Sequence, residues 1–428
     1  MRHGINLSRL TYYGAQMFIN RVKQSGTFSV NKEDQNGSLA LEVEDGPAVI
    51  VAGKGSVSSL QLKGFGLKIT DLALTEMWPR DIAVVRKDEL PLYKAGQVFR
   101  TPLLNRLRGF ACIRFMDAMQ TNANRTGKYV APLDARTYMD AMPVEVMASL
   151  CNTVGADAWI NIPINMSDED ALALVRQFRA ALHPALALYV ELSNEVWNAS
   201  FWAYRYAAEQ GAAFPAVKGI NPGQRWYGYR CAQVAKLISG AGIRFVMGTQ
   251  TMNSGLATSV LKGFDEAGGD NATVHAWIVD GYVSGGIKSA DLRTFAAAND
   301  LDSVFDRLMN HSGKGAIARG KVYQKHAAIA KTRGWALVSY EANLSVIPKG
   351  GRDAAEKALM LSFVKSVYAD PRAKEIARVN LTGLKEAGCE LVCHFNLTHK
   401  PSESGVWGLF EDLDDAVGKP WIQAAREV

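Results

Sequence analysis

Little in this sequence would staple the chain, anchor it or load it with a metal. Its 428 residues include five cysteines, Cys112, Cys151, Cys231, Cys389 and Cys393. An odd number, widely spaced and mostly set in apolar strand or helix patterns, argues against a disulfide framework and for reduced core residues. Cys389 and Cys393 share one face of a strand by parity and cannot pair along it. No window approaches 18 uninterrupted apolar residues, so no membrane span is expected. The first residues, Met1 to Ser8, lack the apolar stretch of a signal peptide. The expected location is therefore cytoplasmic, or outside after release without a signal, for example with a phage at lysis. The seven histidines (His3, His183, His275, His311, His326, His394 and His399) include no His-x-His or His-Glu-x-x-His spacing. No metal site is expected from them. Gly53-Lys54-Gly55 lacks the strand–loop–helix setting of a phosphate loop, and no cofactor is expected.

Charge of one sign is also in short supply. Lys and Arg number 48 against 42 Asp and Glu, a formal net charge of +6. The basic residues are scattered rather than striped, which disfavours a nucleic-acid partner and leaves open a weak preference for an anionic polysaccharide. What is present is the composition of an ordinary globular protein, 48% hydrophobic and 21% charged. Nothing in the composition defines an oligomeric state.

The pattern along the chain changes near residue 100. From Gly26 to Lys87 it is short and alternating, with strands expected at Thr27–Val30, Leu39–Val43, Ala48–Val51, Leu60–Leu62 and Ile82–Val85. The turns Asn36-Gly37, Asp45-Gly46-Pro47 and Gly53-Lys54-Gly55 punctuate it, which suggests a small antiparallel sandwich. After Leu107, apolar strands alternate with amphipathic helices, the mark of βα units around a parallel sheet. Strands are expected at Ala111–Phe115, Ala156–Ile162, Ala187–Leu192, Arg244–Gly248, Thr273–Val279, Trp335–Tyr340 and Glu390–Phe395. Ser167 caps the helix that ends near Leu182, Pro143 starts a helix, and Gly242 and Gly334 end helices that lead into strands. An eighth strand, Gly4–Ser8, completes a (β/α)8 TIM barrel. The β-rich segment then becomes an insertion between the first and second barrel strands. The expected division is 1–25 for the first strand and helix, 26–95 for the inserted module, and 96–428 for the rest of the barrel. No internal repeat is visible.

In such a barrel the reacting groups project from the C-terminal ends of the strands. Two apolar strands end there in a carboxylate. The fourth runs Leu188-Tyr189-Val190-Glu191-Leu192-Ser193-Asn194-Glu195-Val196-Trp197-Asn198, and the seventh runs Trp335-Ala336-Leu337-Val338-Ser339-Tyr340-Glu341. One glutamate at a strand end is commonly a solvated residue or a helix cap. Two, on the fourth and seventh strands, fit the paired carboxylates that glycoside hydrolysis requires.

Asn194-Glu195 and Glu341 at these positions resemble clan A of the glycoside hydrolases, the "4/7" barrel superfamily of retaining enzymes. The run Val190-Glu191-Leu192-Ser193-Asn194-Glu195-Val196-Trp197-Asn198, with Ile113-Arg114-Phe115-Met116-Asp117 on the second strand, resembles a bacterial group labelled cellulose-binding or hypothetical. The resemblance covers the barrel and not the insertion. It implies Glu195 as acid/base, Glu341 as nucleophile, and the two carboxyls about 5–5.5 Å apart. It implies Asn194 on the sugar 2-hydroxyl, and Arg114 and Tyr282 beside the nucleophile. Arg114 is open between that place and an ion pair with Glu191, and Tyr282 between it and a plain loop aromatic. Trp407, just past the eighth strand, is the expected stacking platform for a sugar ring. Trp197 is open between stacking and locking its loop, whereas Trp159 and Trp277 lie within strand patterns and read as core. Asn161 on the third strand joins the substrate-binding set. His394 and Asn396, at the end of the eighth, are open between lining the cleft and a structural role.

The activity so implied is cleavage of β-glycosidic bonds in a poly- or oligosaccharide by double displacement. The sugar is unspecified: glucan, mannan, xylan, galactan and uronic polymer all suit one scaffold. A non-catalytic carbohydrate-binding barrel, for example of a phage tail or a surface adhesin, is the alternative from another class. A metal-dependent amidohydrolase-like barrel is disfavoured by the scattered histidines.

Overall fold

The computed structural model describes residues 1–7, 91–92, 95–129, 141–214, 220–415 and 417–428, together with the backbone of seven strands between 26 and 85. Eight parallel strands close into a barrel. They are β1 (Arg2–Asn6), β2 (Cys112–Arg114), β3 (Asp157–Ile162), β4 (Leu188–Leu192), β5 (Ile243–Gly248), β6 (Ala276–Asp280), β7 (Ala336–Ala342) and β8 (Cys389–His394). Each pairs with its chain neighbour, and the ring closes where β1 runs beside β8, Arg2 opposite Leu391.

Alternation along each strand sorts the apolar residues into two cores. Odd and even positions separate cleanly on β4. Leu188, Val190 and Leu192 join the large core under the helices, and Tyr189 joins Trp159, Val246, Ile278, Val338, Tyr340 and Leu391 inside the barrel. This interior is packed rather than open: Trp159 and Tyr189 stack with ring centroids 5.5 Å apart. Trp277 lies in the outer core, its indole N–H donating to His326 at 2.9 Å. All five cysteines are buried and free.

The helices form where local signals place them. The Ser167 hydroxyl accepts from the Asp170 amide at 3.1 Å and opens the helix Asp168–Ala181, and Pro143 caps the helix Val144–Val154. Gly334, with φ of +73°, closes the helix Ala316–Arg333 immediately before β7. Gly242 also has a positive φ, but it lies in the turn before β5, past the helix Pro222–Ile238, whose cap is Ser239. That helix meets Ser254–Glu266 at backbone distance. A Cβ at Gly228 would stand 1.8 Å from the Val260 carbonyl oxygen, and one at Gly263 1.7 Å from that of Arg225.

Every barrel strand differs from the sequence pattern at one end or both, most by a single residue, and three of the differences matter. The first strand starts at Arg2 rather than Gly4. The sixth starts at Ala276, because Asn271–Thr273 form a 3₁₀ turn nucleated by Asp270. The seventh continues through Glu341, which lies inside the strand rather than after it. Ser8 and the helix expected to follow the first strand lie outside the described residues.

Between β1 and β2 in sequence come seven strands, Gly26–Thr27, Ser29–Glu33, Ser38–Glu42, Ala48–Ala52, Gly55–Lys63, Gly66–Leu74 and Arg80–Val85. They form one antiparallel sheet of three strands and one of four. The longest hairpin pairs Gly55–Lys63, of which the pattern marks only Leu60–Leu62, with Gly66–Leu74, where no strand is expected. Its alternation of polar and apolar residues in Leu67-Lys68-Ile69-Thr70 is clear in hindsight. The three punctuating turns lie wholly or largely outside the described residues. Among the described residues, no helix is long and apolar enough to cross a membrane.

Candidate active site

The C-terminal ends of the strands gather a buried polar cluster around Arg114, the last residue of β2. Its guanidinium spends its donors on four partners. Nε and Nη2 donate to Glu191 Oε2 at 3.2 and 2.8 Å, and Nη2 donates also to Asn194 Oδ1 at 2.8 Å. Nη1 donates to Glu341 Oε1 at 2.8 Å and to Asn6 Oδ1 at 3.0 Å. Both readings of Arg114 therefore hold together, since one guanidinium joins Glu191 to Glu341. Burial alone would lower its pKa, but Glu191 and Glu341 raise it, and the group stays a cation.

Glu191 is the foundation of this cluster. Besides Arg114, its Oε2 accepts from the Trp159 indole at 3.0 Å and from Asn161 Nδ2 at 2.9 Å. Burial pushes its carboxyl up, and Arg114, Asn161 and Trp159 oppose that push. A carboxylate buried this deeply persists because it is paired and hydrogen-bonded.

Glu195 lies three residues beyond the end of β4, on a backbone that departs from the strand. Ser193 and Glu195 have φ of +63° and +43°. Left-handed backbone at non-glycine residues costs on the order of 1–3 kcal/mol each and persists only where the surroundings impose it. Here they do: the Ser193 amide donates to the Ile162 carbonyl at 2.7 Å, and Asn161 Nδ2 donates to the Ser193 carbonyl at 2.6 Å. The half-buried Glu195 carboxyl then accepts from Asn198 Nδ2 at 2.8 Å and from the Tyr340 hydroxyl at 2.9 Å. Glu341, on β7, accepts from Arg114 on one oxygen and from the Tyr282 hydroxyl on the other, at 2.8 Å.

The electrostatics couple these two glutamates. Burial pushes both up, Glu341 to about 8 and Glu195 to about 7. The charge of Glu195 raises Glu341 further. Glu341 carries the direct contact to Arg114, whereas the contacts of Glu195 are neutral donors and Asp280 raises it. Arg114 opposes the rise of both carboxyls, by direct contact only at Glu341. Burial and the two carboxylates push the Tyr282 and Tyr340 phenols well above their usual range, so both remain donors.

The other expected residues are placed as follows. Asn194 faces Arg114 and donates to Asn122 Oδ1 at 3.2 Å. Trp407 is half-buried, its indole donating to the Ser404 carbonyl at 2.9 Å and its ring edge-on to Tyr282 and Phe395. Trp197 is half-buried beside Glu195. Asn161 is 1% exposed, and its Nδ2 bonds Glu191 and Ser193, bracing the loop. His394 requires a correction. It is 0% exposed, and its ring lies between Trp421, whose indole donates to Nδ1 at 3.1 Å, and His3, at 3.0 Å from Nε2. The side chain of a strand-end residue follows its pleat, and that of His394 leads to the terminal helix Pro420–Ala425 and to β1. Asn396 is buried with it.

Three contributors were not expected from the sequence: Tyr340, Asn198 and Asn6. Asn198 lay within the quoted motif, and Asn6 ends a strand as Arg114 does. Tyr340 adjoins Glu341 and by alternation would face away from it. Among the described residues, no group of three or more His, Cys, Asp and Glu is arranged to hold a metal ion.

No family model matches the chain, and no curated protein matches it in sequence. Several solved structures resemble it in fold at low identity. An endo-β-1,4-mannanase of glycoside hydrolase family 26 from Cellulomonas fimi is 13% identical at a TM-score of 0.37, over 74% of this chain. The match spans 62% of that mannanase, less than two thirds of its length. A xylanase from Cellvibrio japonicus is 11% identical at a TM-score of 0.44, over 77% of this chain and 92% of its own. The N-terminal endo-1,4-β-D-xylanase 10B of Clostridium thermocellum is 12% identical at 0.44, over 96% of this chain and 84% of its own.

Proposed function

We propose that this protein is a retaining glycoside hydrolase that cleaves β-glycosidic bonds in a polysaccharide by double displacement. The observation that carries the proposal is the asymmetry of the two glutamates: Glu341 contacts a buried guanidinium and a phenol, and Glu195 contacts neutral donors. That asymmetry divides the labour the reaction requires. A Glu341 oxygen attacks the anomeric carbon as the glycosidic C–O bond breaks, and the Glu195 proton passes to the leaving oxygen. The glycosyl ester is then cleaved by water, whose proton returns to Glu195 while its oxygen bonds to the anomeric carbon. The Tyr282 and Arg114 bonds to Glu341 hold it in line for attack and receive its charge again when it leaves. Asn194, oriented by Arg114, presents its amide to the sugar 2-hydroxyl. Trp407 and Trp197 offer ring faces at the rim. The likeness of the Val190–Asn198 run to the bacterial group labelled cellulose-binding belongs to this reading, as does treating 26–95 as a separate module.

The deciding experiment measures reducing ends released from glucan, mannan, xylan, galactan and uronic polymers by the wild type, Glu195→Gln and Glu341→Gln. Turnover that both substitutions abolish supports the proposal. A wild type that binds glycans and hydrolyses none favours a carbohydrate-binding barrel instead. Proton NMR of the first product formed must show the retained anomer; prompt release of the inverted one contradicts double displacement.

A further inference from the structure

The turn that carries Tyr282 is gripped from outside the barrel by residues far away in sequence. Asp280 ends β6, and its Oδ1 accepts from the Tyr282 amide at 3.2 Å and from Arg319 Nη2 at 2.6 Å. The same Nη2 donates to the Asp280 backbone carbonyl at 2.5 Å, so one nitrogen fixes both the side chain and the peptide. Arg319 belongs to the helix Ala316–Arg333 and is 3% exposed. Its Nε donates to the Tyr323 hydroxyl at 3.0 Å, and that hydroxyl donates to Asn380 Oδ1 at 2.8 Å. Asn380, in the helix Arg372–Glu386, completes the loop by donating from Nδ2 to the Gly281 carbonyl at 2.9 Å. The Asp280 amide donates in turn to Thr251 Oγ1 at 2.8 Å. Every residue from Asp280 to Tyr282 is thus tied, and Tyr282 extends from the tied turn to Glu341.

A buried arginine is a costly way to hold a turn. Taking a guanidinium and a carboxylate out of water costs several kcal/mol per ion, and an apolar pair of equal volume often serves stability as well or better. What an apolar pair does not supply is direction. Two bonds from one fork nitrogen, with a third from Asn380, fix the peptide planes on both sides of Gly281. The Tyr282 side chain leaves that turn with its position set, and a phenol has only two torsions left to vary.

We infer that Arg319 and Asn380 are positioning residues for the reaction proposed above, acting through the Asp280–Tyr282 turn to hold the Tyr282 hydroxyl on Glu341. The inference rests on the hydrolase reading, since Glu341 matters here as the nucleophile. Neither residue touches the sugar, so their removal lowers kcat and leaves KM close to its wild-type value. Their effect also requires the hydroxyl. Once Tyr282 is Phe, nothing remains for the clamp to aim.

The test uses 2,4-dinitrophenyl glycosides of glucose, mannose, xylose and galactose. Their leaving group needs no proton, so formation of the glycosyl-enzyme reports Glu341 apart from Glu195. With whichever glycoside the wild type turns over, rates are measured for Tyr282→Phe, Arg319→Met and the double variant. Each single substitution is expected to slow formation of the glycosyl-enzyme roughly 10- to 100-fold, with the double variant within about 2-fold of Tyr282→Phe. Arg319→Lys, which keeps a donor for Asp280, recovers most of the rate. Multiplicative losses in the double variant, or a loss expressed in KM, overturn the inference while the hydrolase reading stands. A wild type inert on all four and on the polysaccharides, or Glu341→Gln as fast as wild type, overturns both. Asn380→Ala takes the place of Arg319→Met in the same cycle if the buried methionine prevents folding.

Discussion

Tyr340 and Glu341 are consecutive residues of β7, yet both side chains reach the site. The Tyr340 hydroxyl binds Glu195 at 2.9 Å, and Glu341 receives Arg114 and Tyr282. In a regular strand, neighbours face opposite sides of the sheet. Here the register of β7 against β8 slips between Ser339 and Ala342, and that of β6 against β7 between Val279 and Asp280. The irregularity turns two successive side chains into one cluster. On the opposite wall, the left-handed Ser193 and Glu195 do the same for Asn194 and Glu195.

If Glu195 supplies a proton and Glu341 a bond, as proposed, their losses will differ with the leaving group. Glu195→Gln should slow polysaccharide hydrolysis about 10²–10⁴-fold. It should leave formation of the glycosyl-enzyme from a dinitrophenyl glycoside close to wild type, with azide accelerating turnover and yielding the glycosyl azide of retained configuration. Glu341→Gln should lose about 10⁴-fold or more on both kinds of substrate. Stopped-flow release of dinitrophenolate and mass spectrometry of the azide product check this. Equal losses on both substrates would reverse or void the roles.

On the proposed mechanism the pair is active with one proton and fails with two or with none. kcat/KM against pH should therefore be bell-shaped. Both limbs belong to the coupled pair rather than to either glutamate. Since burial raises the two glutamates to about 7 and about 8, the alkaline limb lies well above the ordinary carboxylate value of 4.5. The same shift bears on stability. A carboxyl raised in the folded state contributes stability below its unfolded value that disappears as pH rises through the folded one. Glu195→Gln should thus gain Tm over the wild type as pH climbs from 4.5 to about 7. A thermal melt series across that window checks it, and a gap that closes over the same range would contradict it.

Arg114→Lys is a severe substitution despite keeping the charge. Arg114 makes five bonds to Glu191, Asn194, Glu341 and Asn6, and an ammonium has three donors on one atom. The expected result is a folded protein with kcat reduced at least about 100-fold and a Tm several degrees lower. Activity assays and calorimetry on one preparation separate the two effects. Unchanged kcat would mean that point charge suffices.

Away from the site, Gly228→Ala should destabilise although alanine is the better helix former. The new Cβ would meet the Val260 carbonyl oxygen at 1.8 Å, and backbone cannot swing aside as a side chain can. Forced separation of the two helices costs about 1–3 kcal/mol, more than the gain of about 1 kcal/mol in helix propensity. Urea unfolding should show a lower midpoint with an unchanged slope.

Much of this was legible because burial has a period. The alternation on β4 and the apolar runs of β3, β5 and β7 marked the barrel, and the two strand-end glutamates marked its mouth. What failed was parity at the mouth itself. Counting by twos from Glu191 selects Ser193 and Glu195, but Asn194 is the residue that faces Arg114. The same counting hides Tyr340 behind Glu341. His394 failed for another reason. Its partners, His3 and Trp421, come from the two ends of the chain, and no local pattern joins them.

The closure of the barrel by β1 against β8 sets a timetable for folding. Arg2 lies opposite Leu391, so the first strand waits beside an empty place until almost the whole chain is available. Such distant pairing is slow and leaves strand edges exposed in the interval. The antiparallel hairpins between β1 and β2 depend on near neighbours alone and can form early. A stalled or truncated product lacking β8 would present β1 and β7 as adhesive edges, and aggregation rather than partial activity is its expected fate.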